Sequence, residues 1–439
     1  MASWFLTPSH LCFFAMTTNN NNNNNNSQLG DEALQELYQK TGTPLHSAYA
    51  VAQLLVFYEQ QPQLAQGVAK WQTLSSLCLA RWIQNDNHQA AAPFWPISYS
   101  EASWTGLINV QKCSYEPAVL ELLPTACRQA LPALADFDVS STKNTLQPTF
   151  CQKWPALTDA RFFLGIGDGA CANIGSKCTA LERMACTIGT SAAARIVVPA
   201  NAVVTVPRGL FCYRINQSFL LLGGALTDGG SVTEWIRQIL NISSNDEMEQ
   251  CLVQVDRQLQ QDYAAAAKTT SSSDESIQPQ RPLLIMLPFL SGERSTNYQT
   301  GATGAIVGLT RATTRAHLVQ ACLESVALRL AAVTRLLSSQ PKAQIWVSGK
   351  ALEVNTVWRQ MIADCTGRTI VLDPDTTEGS SRGVACLVAA SLSGRGLTRE
   401  DVSPNAIETF PRPEGKAYWD KLVVAQERFL DAMRPIYAG

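Results

Sequence analysis

The sequence predicts an α/β fold, and two observations carry that prediction. Short apolar runs at 184–188, 193–198, 210–215 and 219–222 have the length of buried strands, and they lie in pairs joined by tight turns, as in β-hairpins. Farther along the chain, short apolar runs alternate with helical patterns. These features indicate antiparallel strands followed by helix–strand repeats.

Length and composition limit the class of protein. The 439 residues are enough for two or three domains, each with its own core. The 46% hydrophobic and 16% charged content is typical of a globular chain. A net charge of −2 gives no sign of binding to nucleic acid or an anionic membrane. No run of about 18 apolar residues predicts a membrane-spanning helix.

Cysteine usage indicates a reduced, cytoplasmic protein without a structural metal. The thirteen cysteines include no Cys-x-x-Cys pair, and the closest group, Cys171, Cys178 and Cys186, fits no zinc template. We therefore expect free thiols that pack as small apolar side chains.

The first half of the chain is predicted to be mostly helical. Residues 1–30 include eight consecutive asparagines and are expected to form a disordered tail. A helix is expected at 31–40, where ordered structure begins. Three more helical patterns and one buried strand follow: helices at 48–59, 64–82 and 118–134, and a strand at 162–166.

The second half has a clearer order of elements. A helix is expected at 229–240, and an Ala-, Ser- and Thr-rich stretch at 264–280 is predicted to be an exposed insertion. Thr313 or Thr314 would cap a long helix. Its apolar stripe recurs at steps of three and four residues: Val319, Leu323, Val326, Leu330, Val333 and Leu337. The remaining elements are strands at 345–347 and 369–372, a helix between them that starts after Gly349 and carries apolar residues from Val354 to Cys365 on one face, and a helix at 382–391. This order matches the ribonuclease-H-like unit of actin-type ATPases.

Asp168 stands between two glycines at the expected end of the strand at 162–166. Two interpretations remain open. The carboxylate could cap a helix over 170–175. It could instead face a cleft as a general base, since the flanking glycines would let a substrate hydroxyl approach closely.

Two glycine-containing turns could bind phosphate or be simple structural turns. In "TIGTSA", at 187–192, backbone N–H groups near Gly189 and the Thr190 hydroxyl could hold phosphate oxygens. In "VSGKALEVN", at 347–355, a strand turns through glycine into a helix whose start could lie against a nucleotide.

Three further residues have mainly structural interpretations. Trp104 is most simply a packed aromatic side chain. Glu293 and Arg294 in "SGERS" are read as a solvated pair in preference to a clasp on the substrate domain.

Taken together, these stretches resemble the FGGY family of carbohydrate kinases, in the same order and with compatible spacing. "GIGDGACANIGSKC" is similar to the segment bearing the family's catalytic Asp, and "MACTIGTSAAARIVV" to its second phosphate motif. "LPFLSGERS", "GAIVGLTRATTRAHLVQACLESVA" and "VSGKALEVNTVWRQMIADCTGR" are similar to later signature and adenosine motifs. "YQKTGTPLHSAYAVAQLL" and "ISYSEASWTGL" resemble the gluconokinase branch.

The resemblance implies two ribonuclease-H-like domains around a cleft and ATP-dependent phosphorylation of a sugar or sugar-acid hydroxyl, with a gluconate-like substrate favoured. Asp168 would take the proton from the attacking hydroxyl, and Mg²⁺ would bridge phosphate oxygens without a protein metal site of its own. The residues implied for ATP are Gly189 and Thr190 at the phosphates and Gly349, Ala351 and Asn355 by the nucleoside.

The substrate side of the cleft has weaker candidates: Gly167, His46, Glu101 and Trp104. The expected partner is a small-molecule sugar or sugar acid, with no nucleic acid and no membrane, and a homo-oligomer is left open. The domains are expected at 31–176 for the substrate side and 177–410 for the nucleotide, followed by a C-terminal helix at 411–439.

Two departures from the family pattern stand out. Members open with a strand and a D-x-G-T/S phosphate loop about a hundred residues before the matched region. The sequence is interpreted as lacking this motif, so the first domain is expected to be N-terminally incomplete, with exposed apolar edges. Where the adenosine motif usually reads Gly-Gly-Ala, this chain has Lys350 in the middle, which would crowd the nucleotide or offer it a cation. The alternative function is therefore a catalytically impaired relative that binds a nucleotide or a protein.

Overall fold

The computed structural model describes most of the chain after residue 30. The described residues are 31–44, 46–84, 95–138, 145–202, 205–271, 283–299, 301–338, 343–376, 378–397 and 400–437. The predicted tail at 1–30 lies outside them.

The first half is built from short helices with very short strands between them. The helices are α1 (Asp31–Thr41), α2 (Ala50–Gln60), α3 (Pro62–Gln66), α4 (Leu74–Trp82), α5 (Tyr99–Ser103), α6 (Pro117–Leu122), α7 (Thr125–Ala130) and α8 (Pro148–Lys153). The strands are β1 (Ile83–Gln84), β2 (Ile97–Ser98), β3 (Ile108–Asn109), β4 (Ser114–Tyr115), β5 (Leu134–Ala135) and β6 (Thr145–Leu146). They pair as β1 with β6, β2 with β5 and β3 with β4. Within the described ranges this half contains no sheet larger than two strands.

Two of the predicted helices are each divided in the structure. The pattern at 64–82 covers α3 and α4, because Thr73 starts α4 afresh by accepting a hydrogen bond from the Ser76 N–H. The pattern at 118–134 divides at Pro124, which has no N–H and stands at the N-cap of α7.

The predicted strand at 162–166 is wrong, because this segment is irregular chain that joins no sheet. Its backbone groups have other partners. The Leu164 N–H donates to the Phe137 carbonyl at 2.9 Å, and the Ser98 hydroxyl donates to the Gly165 carbonyl at 2.5 Å. The segment therefore reaches Asp168 as a tethered loop.

A seven-stranded sheet organises the second half, in the order β15-β14-β13-β7-β8-β10-β9. The strands after β6 are β7 (Arg183–Ile188), β8 (Ala192–Pro199), β9 (Phe211–Arg214), β10 (Phe219–Leu226), β11 (Ile285–Leu287), β12 (Ala305–Val307), β13 (Gln344–Ser348), β14 (Ile370–Leu372) and β15 (Ile407–Thr409). The two predicted hairpins are confirmed as the antiparallel pairs β7–β8 and β9–β10, and β13 is parallel to both β7 and β14.

Helices cover this sheet. They are α9 (Asp168–Gly175), α10 (Gly230–Ile239), α11 (Asn245–Ser271), α12 (Arg315–Leu337), α13 (Lys350–Val354), α14 (Thr356–Thr366), α15 (Gly379–Ser393) and α16 (Lys416–Tyr437). Antiparallel strands followed by helix–strand repeats are the predicted ribonuclease-H-like arrangement. The proposed domain boundaries at 176 and 410 stay predictions.

The long helix α12 is the centre of the second half. Its N-cap is Thr314, as predicted, and the Thr314 hydroxyl oxygen accepts a hydrogen bond from the His317 N–H at 3.3 Å. Among the helices that the structure describes, α12 alone has the length and composition to cross a bilayer, but 83% of its most apolar window is buried inside the protein. It is therefore accounted for as a core helix.

The predicted insertion at 264–280 is wrong where the structure describes it. Residues 264–271 are the last two turns of α11, and Ala266 is buried together with Leu259 and Tyr263. The alanines thus continue a helical face, which their small size allows to pack closely. Residues 272–282 lie outside the described ranges.

Helices α9 and α15 touch backbone to backbone. A Cβ atom built on Gly175 would lie 1.8 Å from the Gly379 carbonyl oxygen, and one built on Gly383 would lie 1.8 Å from the Cys171 carbonyl oxygen. No side chain fits in either gap. Just after α9, the buried Lys177 Nζ lies 2.8 Å from Asp373 Oδ2, which adds an ion pair to this junction.

Replacing Gly383 with alanine is expected to destabilise the protein by about 1–3 kcal/mol, because the new methyl group forces the two helices apart. The measurement is urea-induced unfolding followed by circular dichroism. Gly379→Ala is the matched control. Its Cβ would meet nothing closer than 3.5 Å, so this change should be neutral or slightly stabilising. Equal effects of the two substitutions would contradict the packing argument.

Candidate active site

A cavity of about 250 Å³ lies between the first half and the sheet of the second. We call it the Asp168 cavity. Its lining includes Trp104, Gly167, Asp168, Arg195 and Arg294. The structure thus brings three of the predicted site residues together and adds two arginines.

Asp168 is the first residue of α9, and Gly167 is the N-cap. The Asp168 side chain is exposed to the cavity, and its Oδ1 accepts a hydrogen bond from the Gly169 N–H at 2.7 Å. The capping interpretation therefore does not hold, since an N-cap side chain bonds to an N–H two or three residues farther on. A carboxylate here can accept a proton from a hydroxyl placed in the cavity.

Ser100 and Trp104 position the approach to this carboxylate from the first half. The Ser100 hydroxyl oxygen accepts a hydrogen bond from the Gly167 N–H at 3.0 Å. A Cβ on Gly167 would lie 4.0 Å from Trp104 Nε1, so the indole stands directly beside this glycine. Trp104 is 48% exposed and is not the packed aromatic residue that the sequence suggested. Its free face suits the carbon skeleton of a polyol.

Two guanidinium groups face the same cavity. Arg195 is the single charge in the strand β8, where the neighbouring side chains are small or apolar. Its Nε would lie 3.2 Å from a Cβ on Gly169, next to Asp168. Burial lowers the pKa of Arg195; Asp168 opposes that shift, and Arg294 adds to it. Sequence reasoning missed Arg195, although a lone charge in a buried strand was a usable signal.

The interpretation of Glu293 and Arg294 as a solvated pair is wrong. Glu293 is buried, and its Oε1 lies 2.6 Å from Nη2 of Arg329 on α12. Arg294 points instead into the Asp168 cavity. The sequence could not show this arrangement, because the partner of Glu293 lies 36 residues farther along the chain.

Aromatic side chains build one wall of the cavity. Phe211 and Tyr213 stack with ring centroids 4.3 Å apart, and the Tyr213 hydroxyl lies 2.9 Å from that of Tyr49. Burial raises the pKa of Tyr49 and of Tyr213, which keeps both phenols protonated. This wall offers apolar rings and neutral hydroxyl groups.

The other two substrate candidates lie behind the cavity surface. His46 packs edge-on against Tyr298 with ring centroids 5.9 Å apart, and burial lowers its pKa, as does the nearby Arg294. Glu101 is buried and accepts hydrogen bonds from the hydroxyls of Ser75 at 2.7 Å and Thr73 at 3.1 Å. Glu101 therefore tethers α4 to α5 and does not line the Asp168 cavity.

A second cavity, of about 520 Å³, opens at the turn between β7 and β8. We call it the hairpin cavity. Gly189, Thr190, Lys350 and Ala351 all line it, so the two predicted phosphate and adenosine turns face one space. The sequence patterns were 160 residues apart, and only the parallel pairing of β13 with β7 brings them together.

The turn at Gly189 is fixed to the start of α10. The Gly230 N–H donates to the Gly189 carbonyl at 2.7 Å, and the Gly229 N–H donates to the Thr190 carbonyl at 2.8 Å. A Cβ on Gly189 would meet nothing within 4 Å, and Thr190 is exposed. The Gly189 N–H itself donates to the Ser191 carbonyl at 2.9 Å, so the predicted backbone donor is already used within the turn. What the turn offers a phosphate is open space beside Gly189 and the exposed Thr190 hydroxyl.

The turn after β13 is the predicted strand–glycine–helix turn. Gly349 has φ +102°, and a Cβ there would lie 2.4 Å from the Ile188 carbonyl oxygen, so glycine is required. The Lys350 side chain is 84% exposed and lies 3.7 Å from Glu353, which leaves the cavity uncrowded. Asn355 is not among the lining residues, because its side chain caps α14 by accepting from the Trp358 N–H.

One phosphate-loop pattern was missed. Asp228 to Ser231 spell D-x-G-S between β10 and α10, and Asp228, Gly230 and Ser231 line the hairpin cavity. Asp228 is buried and accepts hydrogen bonds from the Ser231 hydroxyl at 2.9 Å and the Ser291 N–H at 2.8 Å. The motif was expected only near the start of the chain, which is why it was overlooked here.

Metal binding would depend on the nucleotide. Across the described ranges no group of three His, Cys, Asp or Glu side chains could hold a metal ion, and the cysteines there are free. The carboxylates of Asp168 and Asp228 face the two cavities. One or two carboxylates joined by substrate phosphates are the usual protein environment of Mg²⁺, so these residues fit an ion that enters with a nucleotide.

Comparisons with known proteins agree with this geometry. Residues 184–392 match the C-terminal domain of the FGGY family of carbohydrate kinases. Gluconokinase from Bacillus licheniformis is 25% identical over 367 residues, which are 82% of this chain and 65% of the relative. Xylulose kinase from Klebsiella pneumoniae is 26% identical over 326 residues, which are 72% of this chain and 60% of the relative.

Solved structures share the fold. Gluconate kinase from Lactobacillus acidophilus superposes with a TM-score of 0.72 at 23% identity, covering 92% of this chain and 76% of that one. The chain spans 65% of the length of the Bacillus licheniformis relative. The matched domain, the relatives over most of this chain and the shared fold agree with one another: the chain is similar to the FGGY family of carbohydrate kinases, and its residues 184–392 match that family's C-terminal domain.

Proposed function

We propose that this chain transfers the γ-phosphoryl group of ATP to a hydroxyl of a sugar or sugar acid in the cytoplasm, with gluconate as the favoured acceptor. One observation carries the proposal: β8 starts at the turn of the hairpin cavity and bears Arg195 in the Asp168 cavity. One strand thus runs from the proposed phosphate site to the cavity that the Asp168 carboxylate faces. The gluconokinase relatives support gluconate as the acceptor.

Asp168 is the general base in this proposal. The acceptor hydroxyl lies against the exposed carboxylate, which takes its proton as the oxygen attacks phosphorus. Gly167 and Gly169 leave room for that approach, and Trp104 packs against the carbon chain. The acceptor oxygen is thereby held for in-line attack.

The hairpin cavity holds ATP in this proposal. The Thr190 hydroxyl contacts phosphate oxygens, Gly189 leaves room beside them, and Ala351 lies by the nucleoside just after the turn at Gly349. Asn355 supports this site indirectly by starting α14. Asp168 and Asp228 would hold a Mg²⁺ ion that enters with the nucleotide, and that ion would supply positive charge to the phosphates. Lys350, exposed at the rim, adds a cation near them.

The test is a coupled assay that detects ADP release with gluconate, xylulose and glycerol as acceptors, supported by calorimetry with a non-hydrolysable ATP analogue. Turnover with gluconate above the other acceptors is expected. Binding of the analogue without turnover on any acceptor would favour the alternative, a nucleotide-binding relative that has lost catalysis. Absence of both binding and turnover would reject both functions.

A further inference from the structure

Two of the three arginines that line the Asp168 cavity, Arg195 and Arg294, have no side-chain partner among the described residues. Neither the Arg195 nor the Arg294 side chain forms a hydrogen bond or ion pair with any residue that the structure describes, although Asp168 lies close enough to Arg195 to affect it electrostatically. Arg294 also lies close enough to Arg195 to lower its pKa by charge repulsion. Their two positive charges face a single carboxylate.

The buried cations in the described part of the chain have hydrogen-bond partners, which distinguishes them from the half-buried Arg195 and Arg294. Arg214, which also lines the Asp168 cavity, donates to the carbonyls of Gln111 at 2.9 Å and Gln217 at 2.7 Å. Arg329 is paired with Glu293, and Lys177 with Asp373. Removing a charge from water without a partner is costly, so an unpaired pair of guanidiniums inside a cavity points to a ligand that supplies the missing anion.

The chemistry of the cavity limits that anion. Guanidinium groups present parallel donors that match a carboxylate, and two of them beside apolar rings create a positive field that concentrates anions. The Trp104 face and the Phe211–Tyr213 wall suit a carbon chain. The ligand therefore combines a carboxylate with a polyol chain.

We propose that Arg294 and Arg195 bind the carboxylate of the acceptor and make the site selective for sugar acids over neutral sugars. The proposal rests on the proposed function, because it names the acceptor class of the same site. Arg294 is the main determinant of selectivity, and Arg195, which stands nearer to Asp168, completes the anion site.

The experiment compares gluconate with gluconamide, which keeps the carbon chain and hydroxyls but lacks the charge. For the unaltered chain we expect kcat/KM to be about 10- to 100-fold higher for the acid, as for one or two charged hydrogen bonds. In Arg294→Gln this preference should fall to within about threefold, because kcat/KM should decrease for gluconate and change little for gluconamide. Arg311→Gln, at an exposed arginine outside both cavities, should keep the full preference.

A binding measurement tests the anion site independently of the proposed kinase activity. Calorimetry of gluconate and gluconamide needs no turnover, so a preference for the acid that Arg294→Gln removes would support the anion site even in an inactive chain. Equal binding of acid and amide would overturn it and leave the kinase function standing. A loss of ATP-analogue affinity in Arg294→Gln, with gluconate affinity unchanged, would also overturn it, because the arginines would then serve a phosphate.

Discussion

Asp168→Asn is expected to lower kcat by about 10²- to 10⁴-fold, the usual contribution of a general base. The amide has nearly the shape of the carboxylate and can still accept the Gly169 N–H bond, but it cannot take the proton of the attacking hydroxyl. Because the side chain is exposed, the fold should be unaffected. Steady-state and single-turnover kinetics with gluconate measure the effect, and calorimetry should show unchanged affinity for an ATP analogue.

The matched control is Asp159→Asn, an exposed aspartate in the first half that lies outside both cavities. It removes the same charge and should leave kcat within about twofold, since surface substitutions away from a site have small effects. If Asp168→Asn kept more than a tenth of the original kcat, Asp168 would not be the base, and the hydroxyl would have to lose its proton elsewhere.

Arg329→Met is expected to destabilise the fold by about 3–5 kcal/mol, the range for a buried ion pair that loses one partner. Arg329 Nη2 lies 2.6 Å from Glu293 Oε1, and the two side chains are 5% and 1% exposed. Methionine fills much of the space but leaves the Glu293 carboxylate buried with the amide of Asn297 as its remaining side-chain donor. Urea unfolding at several pH values measures the loss.

The pH dependence follows from Glu293. Burial already raises the pKa of Glu293, with Arg329 acting against that shift, so removing Arg329 should raise it further. A carboxyl whose pKa is higher in the folded than in the unfolded state favours folding at low pH and disfavours it as the pH rises. The penalty should therefore be largest at neutral and alkaline pH and should shrink toward about pH 4.3, the ordinary pKa of glutamate.

Arg335→Met is the matched control on the same helix. Arg335 lies 3.6 Å from Glu427, but the side chains are 51% and 61% exposed, so this change should cost about 0–1 kcal/mol with little dependence on pH. Adding Glu293→Gln to Arg329→Met should restore much of the stability, since the buried charge is then gone. A loss that is equal at pH 5 and pH 8 would contradict the role given to Glu293.

The sequence predicted the second half well because its signals are local. Hairpin turns, the Thr314 cap and the stripe along α12 each lie within a few turns of chain, and the structure has them at the expected places. The strand prediction at 162–166 was wrong because the partners of this segment are distant in sequence. Its apolar residues look like a strand, but its backbone partners are the Ser98 hydroxyl and Phe137, which no local pattern reveals.

The same difference between local and distant signals separates the site residues that were predicted from those that were misjudged. Asp168 and the two glycine turns were identified because each stands in a distinctive local sequence. Arg294 was misjudged because its neighbour Glu293 pairs with a distant helix, and Glu101 was placed in the pocket because nothing local shows its bonds to α4. Electrostatic roles depend on which charges remain unpaired after folding, and that depends on the whole tertiary structure.

The contact between α9 and α15 has a mechanical consequence. With Gly175 and Gly383 in backbone contact and Lys177 held by Asp373, the helix that starts at Asp168 cannot tilt without moving the sheet half of the molecule. Any rigid-body closing movement would therefore carry Asp168, Arg195 and the hairpin cavity together as one block. The first half, with Trp104 and Ser100, would then move toward the cavity as a lid, while the position of Asp168 relative to the nucleotide stays fixed.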